Sequence, residues 1–297
     1  MTVTAEPDAA PAPAVAVDRR FPVAAILIAL LAVGVPWMLI LRLVAGPHAV
    51  APGETRSLAE MIGLYVALLA WMAFCARRAR LSWRALLGPP PSTVGLAIGL
   101  GIALLHFAVA FGTVMVVFGV FARLDPRLFS ALMKMLNGVV VLDHAPLALR
   151  VLIAVVLAPF TEEFLFRGVL FHRIARLRGT TWATFVTSLI FSVMHPDPLG
   201  ILVFALLLQG LYVRTRSLWT TIAAHAINNG LTLVMTAGKG DAGPPNPTLF
   251  ENALLPGIVM LCALAPMSIW AIRALWPPRG ARLPWEAPPP SETVSLG

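Results

Sequence analysis

Ala158-Pro159-Phe160-Thr161-Glu162-Glu163-Phe164-Leu165-Phe166-Arg167-Gly168 lies in the middle of an apolar run that extends over residues 147–174. A run of about 20 or more mostly apolar residues reads as a helix that spans a bilayer. A charge inside hydrocarbon costs roughly 2.5–3.5 kcal/mol on insertion scales, so an intramembrane carboxylate is a functional candidate by default. Here there are two, side by side. Arg167 follows Glu163 by four residues, on the same helical face, and is placed to neutralise it. Glu162 points about 100° away around the helix and needs another partner. That division suits acid–base work, with one carboxylate tied to arginine and the other open to take a proton. Pro159 lacks an N–H and is expected to kink the helix, leaving carbonyls for water or substrate. The structural alternative is a Glu–Arg pair that only pins helices together, but two glutamates exceed what pinning needs.

Outward from this run the whole chain keeps the same character. It has 297 residues, of which 59% are hydrophobic and 12% charged, and its mean hydropathy is +0.84. Soluble domains carry about 25% charged residues, so this chain cannot cover a water-facing surface and must be lipid-covered in part. Apolar runs at 21–45, 58–76, 94–121, 147–174, 182–195, 199–213, 218–237 and 253–275 predict an all-α, polytopic membrane protein of about eight transmembrane helices. The runs at 182–195 and 199–213 are short enough to form a re-entrant pair. Residues 128–137 read as an amphipathic piece at the interface. The domain division is a disordered tail over 1–20, a helical membrane domain over 21–276 and a second disordered tail over 277–297, with Trp285 in solvent. The Ala/Pro-rich start, with Glu6 and Asp8, lacks the basic and apolar regions of a cleaved signal.

The net charge of +8 is distributed beside the apolar runs. Arg19–Arg20, Arg77–Arg84, Arg173–Arg178, Arg214–Arg216 and Arg279–Arg282 all fall on one side of an eight-span topology, which should be cytoplasmic, with both termini. Arg123, Arg127 and Lys134 dissent. No aromatic–basic interleaving appears, so nucleic acid is not an expected partner. The expected partners are the lipid bilayer and a membrane-associated peptide or protein, with the oligomeric state open. The composition, and the lack of a eukaryotic targeting signal, point to a bacterial plasma membrane. Cys75 and Cys262 lie in apolar runs and read as small buried thiols. No repeat relates the halves, which weighs against an inverted-repeat transporter.

Two more helices carry buried polar residues. Phe191-Ser192-Val193-Met194-His195 ends one span in a histidine. In His225-Ala226-Ile227-Asn228-Asn229, His225 and Asn229 share a face, and Asn228 can share it too. Glu162 lies fourteen residues before Arg176 and His195 fourteen after Thr181. At 1.5 Å per residue both sit about 21 Å from those helix ends, level with each other. His225 and Asn229 come within reach if helices tilt. The remaining groups have blander readings. His106 is a hydrogen-bonded core histidine or lines a cavity, His172 and Arg173 snorkel, Asp143 and His144 lie in a loop, and Gln209 is interhelical glue.

These residues resemble a known family. Glu162-Glu163-x-x-x-Arg167, Phe191-x-x-x-His195 and His225-x-x-x-Asn229 are similar, in order and on separate helices, to the EExxxR, FxxxH and HxxxN motifs of the CPBP intramembrane proteases. This family is also called the CAAX protease and bacteriocin-processing (Abi) family and includes the prenyl-protein endopeptidase Rce1. The resemblance covers about residues 145–235. It implies a helical membrane endopeptidase with a conical intramembrane cavity, open to the cytoplasm and filled with water. It also implies site roles. Glu162 would be the general base and His195 would orient the water. His225 and Asn229 would stabilise the oxyanion, while Glu163 and Arg167 hold the site together.

Two histidines and a glutamate would also suffice for a three-ligand zinc site with an open position. No HExxH is present and asparagine is a poor zinc ligand, so the favoured mechanism uses glutamate and histidine without a tightly bound metal. An intramembrane endopeptidase is therefore the leading expectation. The alternatives are a non-catalytic immunity or scaffold protein that uses the same polar site for binding, and a transporter in which Glu162 carries charge.

Overall fold

The computed structural model describes residues 54–78, 82–130, 146–195, 197–236, 246–278 and 280–285. The expected span at 21–45, the tail before it and residues 131–137 of the amphipathic piece lie outside the described residues. The described ones are helical throughout their main elements, with no strand among them. The elements are α1 (Glu54–Arg78), α2 (Trp83–Leu87), α3 (Thr93–Leu124), α4 (residues 147–178), α5 (Thr180–Val193), α6 (Pro198–Thr215), α7 (Leu218–Thr236) and α8 (Pro247–Leu275). Each of the seven expected spans within the described residues is a helix; only the short α2 was not foreseen.

Local chemistry sets the boundaries. Ser92 caps α3 by accepting from the Gly95 N–H at 3.0 Å, and Asp197 caps α6 by accepting from the Gly200 N–H at 3.1 Å. Pro198 and Pro247 open α6 and α8, where a missing N–H costs nothing. Gly179, at φ 86°, turns the chain between α4 and α5 in a conformation that L side chains avoid.

Among the described residues three helices, α3, α6 and α8, are long and apolar enough to cross a bilayer by length and composition. The all-α membrane architecture is thus borne out. With 14 residues, α5 is only about 21 Å long, short of a ~30 Å hydrocarbon core. Large apolar side chains such as Phe111 on α3 and Leu255, Val259 and Trp270 on α8 are exposed, as lipid-facing positions require.

The interior has two main clusters. Phe164, Phe166, Phe171, Phe191, Tyr212, Leu218 and Trp285 fill one, and Ile102, Phe204, Leu207, Leu208 and Leu211 fill the other. Small residues bring the backbones together. A Cβ on Gly99 of α3 would stand 2.8 Å from that of Ala224 on α7, and one on Gly257 of α8 2.7 Å from that of Met115 on α3. Without lipid-excluded apolar driving force, such close approach is what joins helices in a bilayer.

The arginine-bearing ends gather at one end of the bundle, and there two expectations need correction. Trp285 and Leu283, expected in a solvated tail, are buried. The Trp285 indole donates to the Leu86 carbonyl at 2.8 Å and stacks on His172, with ring centroids 4.2 Å apart. Arg216 donates to the carbonyls of Leu283 (3.1 Å) and Pro284 (2.9 Å) and holds the segment down. His172 accordingly does not snorkel. It is buried and hydrogen-bonded to the Tyr212 hydroxyl at 2.9 Å. Proline-rich composition hid an aromatic anchor. At the other end Arg123, a dissenter from the charge pattern, donates to the Glu251 carbonyl at 3.1 Å.

Candidate active site

The glutamates sit on a short α-helical piece, Ala158–Glu163, between two wider π-helical pieces, Leu152–Leu157 and Phe164–Leu170. In the first of these the Ala158 N–H bonds the Ile153 carbonyl, five residues back. In the second the Phe171 N–H bonds the Phe166 carbonyl in the same way. Such turns are rare and frequently lie at functional sites. One residue after Ala158, in the same register, comes Pro159. It has no N–H, so the Ala154 carbonyl gets no backbone partner from it. The Asn229 side-chain amide supplies that partner, Nδ2 donating to the Ala154 oxygen at 2.8 Å. The carbonyl expected to be left for water or substrate is thus claimed by α7.

Glu163 and Arg167 form the expected pair at 2.9 Å, with side chains 0% and 2% exposed, so they are out of contact with water. Arg167 lies over the Phe191 ring, 4.5 Å from its centroid, and also donates to the Ala205 carbonyl at 3.4 Å. The same Glu163 oxygen, Oε1, accepts from His225 Nδ1 at 2.9 Å. One buried carboxylate oxygen therefore ties α4 to α7, while the arginine reaches α5 and α6.

Glu162 turns the other way. Its Oε2 lies 3.8 Å from His195 Nε2 and 4.0 Å from His225 Nε2. His195 Nδ1 donates to the Phe191 carbonyl at 2.7 Å, and His225 Nδ1 donates to Glu163. In the neutral form each ring therefore presents a lone pair at Nε2. In that form both Nε2 atoms near Glu162 Oε2 are acceptors, and Oε2 has no hydrogen-bond partner. A water donating to both Glu162 and His195 at about 2.8 Å fits a 3.8 Å separation, at an angle of roughly 85°. The side chains of Glu162 and His195 are 23% and 27% exposed, while the Oε2 atom of Glu162 is itself buried.

Asn229 completes the expected set. Beside it, Asn228 Nδ2 donates to Asn229 Oδ1 at 3.3 Å, and Asn228 Oδ1 accepts from His106 Nδ1 at 2.7 Å. All six expected residues (Glu162, Glu163, Arg167, His195, His225 and Asn229) thus come together. Three groups were underweighted by sequence: Asn228, His106 and Asp197, which accepts from Thr113 at 3.2 Å. Their signal was present as polarity inside apolar runs. A cavity of about 650 Å³ is lined by His106, His195, Asp197, Asn228, Asn229 and Thr232 and by apolar side chains of α3 and α8. Its remaining walls come from the starts of α6 and α8, remote from the arginine-bearing ends, rather than from the face expected to be cytoplasmic. Gln209, expected as interhelical glue, is buried with neither amide atom partnered.

Among the described residues no three His, Cys, Asp or Glu side chains are grouped so as to hold a metal ion.

The comparisons with known proteins address this part of the chain. Residues 144–231 match the family model of type II CAAX prenyl endopeptidases, Rce1-like. That segment holds all three motifs, so the resemblance read from them is borne out. A Bacillus subtilis (strain 168) protein named "Putative membrane peptidase YdiL" is 27% identical over 90 residues, which cover 29% of this chain and 37% of that protein. The chain therefore spans little more than a third of the relative that it matches. No solved structure matches it.

Proposed function

We propose that this protein is an endopeptidase of the membrane that hydrolyses peptide bonds in membrane-associated substrates, CAAX-type prenylated proteins among the candidates. The observation that carries the reading is the placing of Glu162 Oε2, without a hydrogen-bond partner of its own, within 3.8 Å and 4.0 Å of the Nε2 atoms of His195 and His225. Water supplies such a partner, and it is also the second reactant of peptide hydrolysis. The Rce1-like match over the same segment and the peptidase name of the relative support it.

Each step has a group. Glu162 takes a proton from the water while His195 holds it, and the oxygen adds to the peptide carbonyl. The developing oxyanion is met by the second N–H of the Asn229 amide, whose first is committed to Ala154. Glu162 then returns its proton to the amine nitrogen as the C–N bond breaks. Glu163 and Arg167 orient His225 without entering the reaction. The arginine-bearing end faces the cytoplasm of a bacterial plasma membrane.

The test compares wild type with Glu162→Gln in liposomes on prenylated and unprenylated peptides, with and without a chelator. Loss of cleavage in the variant, with the chelator inert, is the expected result. Silence of the wild type on every peptide would shift the reading to a non-catalytic binding protein. Loss to chelator alone would restore zinc.

A further inference from the structure

We propose that His106, on α3, is a positioning residue of this active site that fixes the orientation of the Asn229 amide through Asn228. The proposal rests on the peptidase reading for its catalytic consequence, but its geometry stands apart from it.

The argument runs along one chain of hydrogen bonds. The Ala154 carbonyl can only accept, so Asn229 must turn Nδ2 toward it. Its Oδ1 then faces Asn228, which must present Nδ2. Asn228 Oδ1 is thereby turned to α3, where His106 must present an N–H at Nδ1. A flip of either amide would set oxygen against oxygen, at Ala154 for Asn229 and at Asn229 for Asn228. Direction along the chain is thus set by the carbonyl on α4, and the histidine on α3 answers it with the tautomer that carries its proton on Nδ1. Remove the histidine donor and Asn228 is free to reverse, after which Asn229 loses the acceptor-to-donor match that holds it.

A second observation narrows the role. His106 is buried, its ring lies against Phe204 with centroids 4.8 Å apart, and its Nε2 has no partner. Packing alone would be served by an apolar side chain with no orphaned nitrogen. Only the Nδ1 edge is used, and an asparagine amide places its N–H at about that edge. His106→Asn should therefore replace the histidine, whereas His106→Leu keeps the volume and loses the donor.

The experiment measures kcat, KM and the pH profile of kcat, with thermal unfolding in detergent, for His106→Leu, His106→Asn, Asn229→Ala and the double variant His106→Leu/Asn229→Ala. The expected result is a kcat lowered about ten- to a hundredfold in His106→Leu with KM little changed. His106→Asn recovers to within about threefold with an unaltered pH profile, and the double variant falls no further than Asn229→Ala. Wild-type kcat in His106→Leu overturns the proposal. So does a His106→Asn variant as slow as His106→Leu, which would make Nε2 a proton-transfer group. The unfolding shifts decide the matter even if nothing is cleaved. Non-additive shifts for His106→Leu and Asn229→Ala sustain the chain, and additive ones refute it, whereas failure of the peptidase reading shows only in the cleavage arm.

Discussion

Glu162 and Glu163 are neighbours of identical chemistry, and replacing each by glutamine should move stability in opposite directions. At Glu163 the carboxylate is fully buried and offsets the buried Arg167 guanidinium at 2.9 Å. Breaking one side of such a pair costs about 3–5 kcal/mol, because the remaining charge is left without compensation. At Glu162, Oε2 has no hydrogen-bond partner, and two imidazole nitrogens lie 3.8 Å and 4.0 Å from it. A glutamine there brings an N–H toward those nitrogens, so it should be neutral or stabilise by about 0.5–1 kcal/mol, given its partial exposure. In a protein of this size that is a rise in Tm of about 2 °C. Activity should behave oppositely at that position. Loss of a general base costs about 10²–10⁴-fold, equivalent to roughly 3–5 kcal/mol on the barrier. The assay pairs thermal unfolding in detergent with cleavage in liposomes. A Glu162→Gln variant as unstable as Glu163→Gln, or one that keeps a tenth of wild-type activity, would refute the reasoning.

Other substitutions probe the supports of the site. Arg167→Met should lower stability by about 3–5 kcal/mol, and adding Glu163→Gln should recover part of it, read as coupling in a double-mutant cycle. Asn229→Ala should lower kcat about 10²–10³-fold as an oxyanion donor is lost. Pro159→Ala restores an N–H that competes for the Ala154 carbonyl, so the unfolding cost of Asn229→Ala should shrink in that background. Trp285→Ala removes the stacking on His172 and the bond to Leu86; a loss of about 2–4 kcal/mol in denaturation is expected.

The span pattern was legible because each helix had to be apolar over its length, and the site was legible because ionisable residues stand out in such runs. The equal-depth estimate for Glu162 and His195 held, and spacing alone paired Glu163 with Arg167. What stayed hidden depends on three-dimensional neighbours. Trp285 sits in a proline-rich stretch of low periodicity, and only the presence of His172, Leu86 and Arg216 nearby makes it an anchor. His106 was read as a core histidine or a cavity lining, and both proved apt, but nothing in α3 names Asn228 as its partner. The wide turns of α4 leave no mark beyond Pro159, since hydropathy does not distinguish a turn of five residues from one of four.

Those two wide turns make the site a matter of counting. Each takes up one residue more than the ordinary helical repeat, so the angular setting of Glu162 depends on how many residues precede it within the span. Deleting a single residue from 158–161, where the helix is of the ordinary kind, would swing both carboxylates by about 100° with every catalytic side chain still in the sequence, whereas one lost from 152–157 is absorbed as the wide turn rewinds to an ordinary one. For such a protein, whether loss of one codon inside a membrane helix switches off the chemistry depends on which side of the wide turn it falls. A comparison of related chains by motif alone would never see it.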